Sequence, residues 1–356
     1  MGAALSVIVG SRAAEHVAQY GWRGGDVRFL LGASGGPKWL ILGHLDRFLS
    51  SQFLFEGRHK PLLAIGSSVG TWRHACMAMA DPASAFDRFE DIYLRYEYSP
   101  RPSAQEVSDS SFAMLEHVLG PGGAREVLAN PQLHSYIVTA RGIGFSGSEG
   151  GPSLVLGMAM SAIGNMLDRR LLSRHFQRVI FTSEHAPPLI PAGFASQQVV
   201  TEPHELARVL HASGSIPFVF TGERDLGGAP EGHYWDGGII DYHFCLDELQ
   251  GFVDQPIVLY PHFRSKLTSG WFDKFLPWRR NSAAFCSSLV LVSPSDEFIA
   301  SLPFKKIPDR NDFVRLTPED RRAYWSECVE RSQELRAEFE ALVAGPDPLA
   351  GVEVQR

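Results

Sequence analysis

The chain has 356 residues, with 33 Lys and Arg against 40 Asp and Glu, for a formal net charge of −7. Hydrophobic residues make up 44% and charged residues 21%, the profile of a globular chain long enough to bury a large core. The acidity argues against a protein that grips a nucleic-acid backbone, and no apolar run nears the roughly 18 residues of a membrane span.

In chain order, the first predicted element is a strand at Leu5–Val9. Met1 to Ser6 also fits the loose myristoylation pattern, but that pattern is short and common, and no positive charge precedes the apolar stretch as a secretory leader requires. Further strands are predicted at Val27–Gly32, Leu62–Gly66, Tyr136–Ala140, Val179–Thr182, Ile257–Tyr260 and Leu289–Ser293. These runs are continuously apolar rather than alternating, as strands covered on both faces are. Between them lie helices: Trp72, Ala75, Cys76 and Met79 repeat at helical spacing, and Asp81-Pro82 stops that helix. Ser99–Ser111, rich in Pro, Ser and Asp, and Gly142–Pro152, rich in Gly and Ser, read as loops. Near the C-terminus, Thr317 is an N-cap, Pro318 suits the first helical position, and Tyr324, Cys328, Leu335, Phe339 and Leu342 line one face before Gly345-Pro346. The alternation predicts an α/β fold with a mainly parallel sheet. No internal repeat is visible, so residues 1–356 are expected to form one domain, with a motif-bearing core of about 25–300 and helix 317–344 packing on it.

The cysteines, Cys76, Cys245, Cys286 and Cys328, are widely separated and form no CxxC pair. They suggest neither a zinc site nor a redox motif and are expected to be reduced, in a cytoplasmic protein.

Four segments could carry chemistry. Gly66-Ser67-Ser68-Val69-Gly70 is a GxSxG that follows a strand and opens a helix. A serine projecting from so tight a turn needs neighbours without side chains, and the helix start supplies N–H groups and a positive dipole end. Gly32-Ala33-Ser34-Gly35-Gly36 is a second GxSxG, which makes Ser34 a rival nucleophile. The same loop approaches a phosphate loop, GxxxxGK, but Pro37 replaces the glycine before Lys38 and Trp39 stands where a Ser or Thr belongs. Anion stabilisation suits it better: Gly35 and Gly36 leave their N–H groups open to approach, and Lys38 adds positive charge. The third segment is Ala212-Ser213-Gly214-Ser215-Ile216-Pro217, and the fourth is Trp235-Asp236-Gly237-Gly238, which begins far downstream of Ser68.

Taken in order, these segments resemble the patatin-like phospholipases, whose motifs are a GGGx(R/K)G oxyanion loop, GxSxG, ASxSxP and DG(G/A). Here the first reads Ser34-Gly35-Gly36-Pro37-Lys38-Trp39, with Ser34 and Trp39 in place of its outer glycines, and the segment after Asp236 lacks the family's usual Asn and Pro. The resemblance implies a three-layer α/β/α fold and a serine lipid acyl hydrolase of the phospholipase A, lysophospholipase or carboxylesterase type. It implies Ser68 as nucleophile, Asp236 as base, and Gly35, Gly36, Lys38 and Val69 at the oxyanion, supported by Gly66, Gly70, Gly237 and Gly238. It places Ser34 in the oxyanion loop. The chemistry needs no metal or cofactor.

Three alternatives accompany this reading. One is a Ser68–Asp241–His262 triad in the chain order of α/β-hydrolases, with His233 and His243 as further histidines to weigh. Another is a non-catalytic lipid-binding protein on the same fold. The weakest is nucleotide binding at the Gly32 loop. The partner expected is a lipid or other acyl ester. Between Arg264 and Arg280, basic residues interleave with Trp271, Phe272, Phe275 and Trp278, a composition suited to peripheral membrane contact.

Overall fold

The computed structural model describes residues 3–244, 248, 256–276, 278, 280–281 and 286–355. Met1, Gly2, Cys245 and Arg279, which entered the sequence reading, lie outside these residues. The strands are β1 (Leu5–Gly10), β2 (Val27–Gly32), β3 (Leu62–Ser67), β4 (Leu133–Gly142), β5 (Phe176–Thr182), β6 (Ser196–Val200), β7 (Glu223–Arg224), β8 (His233–Asp236), β9 (Ile257–Pro261), β10 (Leu267–Thr268), β11 (Arg280–Asn281), β12 (Leu289–Pro294) and β13 (Glu353–Gln355). The α-helices are α1 (Ser11–Tyr20), α2 (Gly43–Phe48), α3 (Val69–Ala78), α4 (Pro82–Arg95), α5 (Ala104–Ala129), α6 (Gly151–Leu167), α7 (Leu206–Gly214), α8 (Asp296–Ser301), α9 (Asp312–Arg315) and α10 (Pro318–Ala344).

One sheet organises the chain, in the order β13-β1-β12-β9-β2-β3-β4-β5-β6. Its centre, β12-β9-β2-β3-β4, is parallel throughout. β3, β9 and β12 are buried at every residue, which is why they read as unbroken apolar runs. Helices flank the sheet, giving the expected mainly parallel α/β arrangement.

The path of β4 decides where the chemistry lies. Its first half pairs in parallel with β3, ending at Ser67 opposite Val138. Along the same edge its second half pairs antiparallel with β8, whose last residue Asp236 sits opposite Thr139. β3 and β8 therefore run toward each other along one edge of β4 and stop at adjacent positions, so that the residues following Ser67 and ending β8 must meet.

Several local expectations change. Ser99–Ser111 is mostly not a loop: α5 begins at Ala104, with the Ser103 hydroxyl accepting the Glu106 N–H at 3.1 Å and the Glu106 carboxylate accepting the Ser99 N–H at 2.8 Å. The Ser-rich composition that suggests a loop here serves a helix start. α3 is buried at all ten of its residues rather than along one stripe, and its Arg73 pairs with buried Asp46 of α2 through two 2.6 Å hydrogen bonds. α10 matches its prediction closely: the Thr317 hydroxyl accepts the Asp320 N–H at 3.1 Å, and the helix ends before Gly345. Phe272 belongs to a buried cluster with Leu154, Met158, Trp235 and Ile239, so it is not a membrane-facing residue; its neighbours Phe275 and Trp278 are 75% and 70% exposed.

Candidate active site

Ser68 stands between β3 and α3 with φ 53°, ψ −135°, a backbone conformation that a non-glycine residue adopts only when its surroundings enforce it. The enforcing contacts are steric and polar. A Cβ on Gly70 would come 2.1 Å from the Gly32 carbonyl oxygen, so glycine lets α3 abut the end of β2. A Cβ on Gly66 would meet the Gly70 carbonyl carbon at 3.0 Å. The Ser68 N–H donates to Ser213 Oγ at 2.9 Å, and Ser213 Oγ donates to the Val138 carbonyl at 2.7 Å, tying the turn to β4. The Ser213 contact explains why the small-residue stretch at the C-terminal end of α7 belongs to the site.

Asp236 reaches the same point from β8. Its Oδ2 accepts the Ser68 hydroxyl at 2.8 Å and its Oδ1 accepts the Gly238 N–H at 2.6 Å. Gly237 and Gly238 are needed for space: a Cβ on the first would lie 2.2 Å from the Val138 oxygen, and on the second 2.4 Å from Ser34 Oγ. Burial pushes the Asp236 carboxyl up to about 6, against the hydrogen bonds from Gly238 and Ser68, which pull it down.

The pair opens on a narrow cleft of about 60 Å³ whose walls include Gly35, Gly36, Lys38, Gly238, Tyr242 and Trp271. Gly36 takes φ 54°, and a Cβ on Gly35 would strike the Phe263 ring at 2.5 Å, so both positions in this loop are restricted to glycine. Burial, and then the charges of Arg264 and Arg310, lower the Lys38 ammonium to about 8. Val69 is the first residue of α3 and lines a second, larger apolar cavity on the other side of Ser68.

The alternative arrangements are not assembled. Ser34 Oγ is 2.5 Å from Ser67 Oγ, which donates to the Asp241 carbonyl; among the described residues no carboxylate or imidazole is hydrogen-bonded to Ser34. The Asp241 carboxylate is gripped by Arg178 through bonds of 2.7 and 2.8 Å. His262 is fully buried with Nδ1 against the Arg264 backbone, His243 Nδ1 accepts the Thr268 N–H, and His233 Nε2 contacts the Thr221 carbonyl. None of the three histidines lines the cleft. Two cleft residues escaped the sequence reading as such: Lys274, which sat in a segment read as a membrane surface, and Arg310, for which no motif gives a signal.

Fold and site together define an α/β protein that presents a serine–aspartate pair from a strand-to-helix turn. The family model for patatin-like phospholipases matches residues 33–244, more than half of the chain, and the chain belongs to that family. The family is one of lipid acyl hydrolases, which sets lipids as the substrate class. No curated protein matches the chain.

Proposed function

We propose that this chain is a serine carboxylic-ester hydrolase that cleaves lipid acyl esters through an acyl-enzyme on Ser68, with Asp236 as its only base. The observation that carries this reading is the 2.8 Å hydrogen bond from Ser68 Oγ to Asp236 Oδ2 inside a cleft walled by glycines. Ser68 Oγ attacks the ester carbonyl as its proton passes to Asp236. The oxyanion is held by N–H groups of Gly35, Gly36 and Val69, with Lys38 adding charge. Collapse of the tetrahedral intermediate expels the alcohol, which takes the proton from Asp236. Water then attacks the acyl-enzyme, Asp236 accepting its proton and returning it to Ser68. A carboxylate near its ordinary pKa is a poor base toward a hydroxyl; burial makes this one stronger.

The test is turnover of a p-nitrophenyl ester by the Ser68→Ala and Asp236→Asn proteins. Each is expected to lose about 10²- to 10⁴-fold or more in kcat while remaining folded. Full activity in Ser68→Ala overturns the reading.

The reading includes a peripheral position on membranes. α6 carries no charged residue, and Val155, Leu156, Met160, Ile163, Met166 and Leu167 are exposed along it. It is joined to the turn bearing Phe275 through a 2.7 Å bond from Asn165 Nδ2 to Asp273 Oδ1, and Trp271 of that turn lines the cleft. This apolar surface beside the cleft supports docking on a lipid surface. A cytoplasmic location is supported by Cys76 and Cys328, which are free and buried.

A further inference from the structure

Ser68 stands where two unlike cavities meet. On one side is a groove of about 420 Å³ whose walls include Trp72, Val107, Met114, Val219, Phe220 and Phe313. On the other is the smaller cleft, into which Lys38, Lys274 and Arg310 converge. Lys274 and Arg310 lie outside the stretch matched by the family model, so they are features of this chain rather than of the shared motifs.

These three cations are not neutralised locally. Among the described residues none of them is in an ion pair. Lys274 Nζ lies 3.5 Å from the centroid of the Tyr242 ring and Lys38 Nζ 5.3 Å from that of Phe263, while Arg310 packs toward Gly36 at the junction of the two cavities. Of the acids adjacent in sequence, Asp309 is engaged by Lys306 at 2.9 Å, acting on Lys38 only through space, and Asp273 accepts Asn165 Nδ2 at 2.7 Å. Among the described residues, the only acidic one lining the cleft is Asp236, which the proposed reaction uses as its base.

Resting on the acyl-hydrolase reading, we propose that Lys38, Lys274 and Arg310 form a subsite for an anionic head group, so that the chain selects lipid esters bearing a phosphate monoester over those bearing a zwitterionic head. The acyl chain lies in the apolar groove, its carbonyl at Ser68, and the phosphate among the three cations. A phosphocholine brings a quaternary ammonium into a cleft that already holds excess positive charge and offers it no free carboxylate. Burial, and then the charges of the neighbouring cations, raise the cost of protonation, lowering Lys38 to about 8 and Lys274 to about 6. The charge of a bound dianion opposes both effects and favours the ammonium forms, so binding near neutral pH draws in protons.

The experiment uses the Ser68→Ala protein, which cannot turn substrate over, titrated calorimetrically with octyl phosphate, octylphosphocholine and inorganic phosphate. Octyl phosphate is expected to bind at least about tenfold more tightly than either of the others, with net proton uptake measured across buffers of different ionisation enthalpy. Lys274→Ala and Arg310→Ala should each weaken it about 10- to 100-fold, the range for charge-assisted hydrogen bonds, and Lys274→Arg should restore most of the loss, which separates charge from folding. Equal binding of the two amphiphiles, or affinities untouched by either alanine, overturns the proposal. Inorganic phosphate binding as tightly as octyl phosphate also overturns it, in favour of a free-phosphate site. Turnover of a neutral p-nitrophenyl ester by the unmodified protein judges the acyl-hydrolase reading separately. Selective binding without turnover leaves the subsite standing and removes the hydrolase, and turnover without selective binding does the reverse.

Discussion

At the scale of the residue, the role proposed for Asp236 bears on both rate and stability. With Asp236 as base, kcat/KM should rise about tenfold per pH unit below about 6 and level off above it, because only the carboxylate can accept the serine proton. A pH–rate profile flat between pH 4.5 and 7 would contradict this. The same burial carries a stability cost. The carboxyl titrates higher in the folded than in the unfolded chain, so folding favours its protonated form. The cost is absent well below the unfolded value near pH 4, grows as pH rises to about 6, and is constant above. It amounts to roughly 3 kcal/mol at most. Asp236→Asn, expected to be inactive, should therefore melt at a higher temperature than the parent at pH 7.5, with the gap closing toward pH 4. A lower Tm for the Asn protein at pH 7.5 would show that the charge is better stabilised than its burial indicates.

At the scale of the element, α6 and α3 are opposites. α3 is enclosed on all sides and cannot be read as amphipathic, whereas α6 leaves much of its apolar surface uncovered. Leu154 and Met158 anchor α6 to the cluster holding Ile239 and Phe272, so its outer residues are held rigidly beside the cleft. Ile163→Asp combined with Leu167→Asp should lower partitioning onto phospholipid vesicles by about tenfold or more, since each buried apolar side chain is worth about 1.5–3 kcal/mol. Unchanged co-sedimentation would assign this surface to some other contact. Elements also show where sequence patterns mislead. The short strand β8, four residues starting at a histidine, has no apolar run to announce it, and Ser103 looks like loop material until its N–H partner on Glu106 is known. By contrast, the Thr317 cap and Pro318 are local signals with local consequences, and α10 follows from them directly.

At the scale of the whole molecule, two buried ion pairs lock the frame around the site. Arg73 of α3 holds Asp46, and Arg178 of β5 holds Asp241, five residues beyond the base, with Glu248 adding a 2.6 Å contact. Breaking such a pair leaves a charge without a partner, so Asp46→Ala should cost about 3–5 kcal/mol of stability by denaturant unfolding. A loss under 1 kcal/mol would mean that Arg73 finds another partner or water.

The amino-acid sequence alone determined what is local. Gly66 and Gly70 mark a tight strand-to-helix turn; the central strands follow from continuous apolar runs; the order of four short motifs singles out Ser68 and Asp236. Tertiary structure decided which of several serines, acids and histidines share a site, because that depends on β3 and β8 converging on one edge of β4 from segments far apart in the chain. It alone brought Lys274 and Arg310 to the cleft and gave Asp241 to Arg178 rather than to a histidine. Spacing along a chain encodes neighbours within a turn or a helix; the meeting of distant side chains is set by strand order and register, which only the packed sheet fixes.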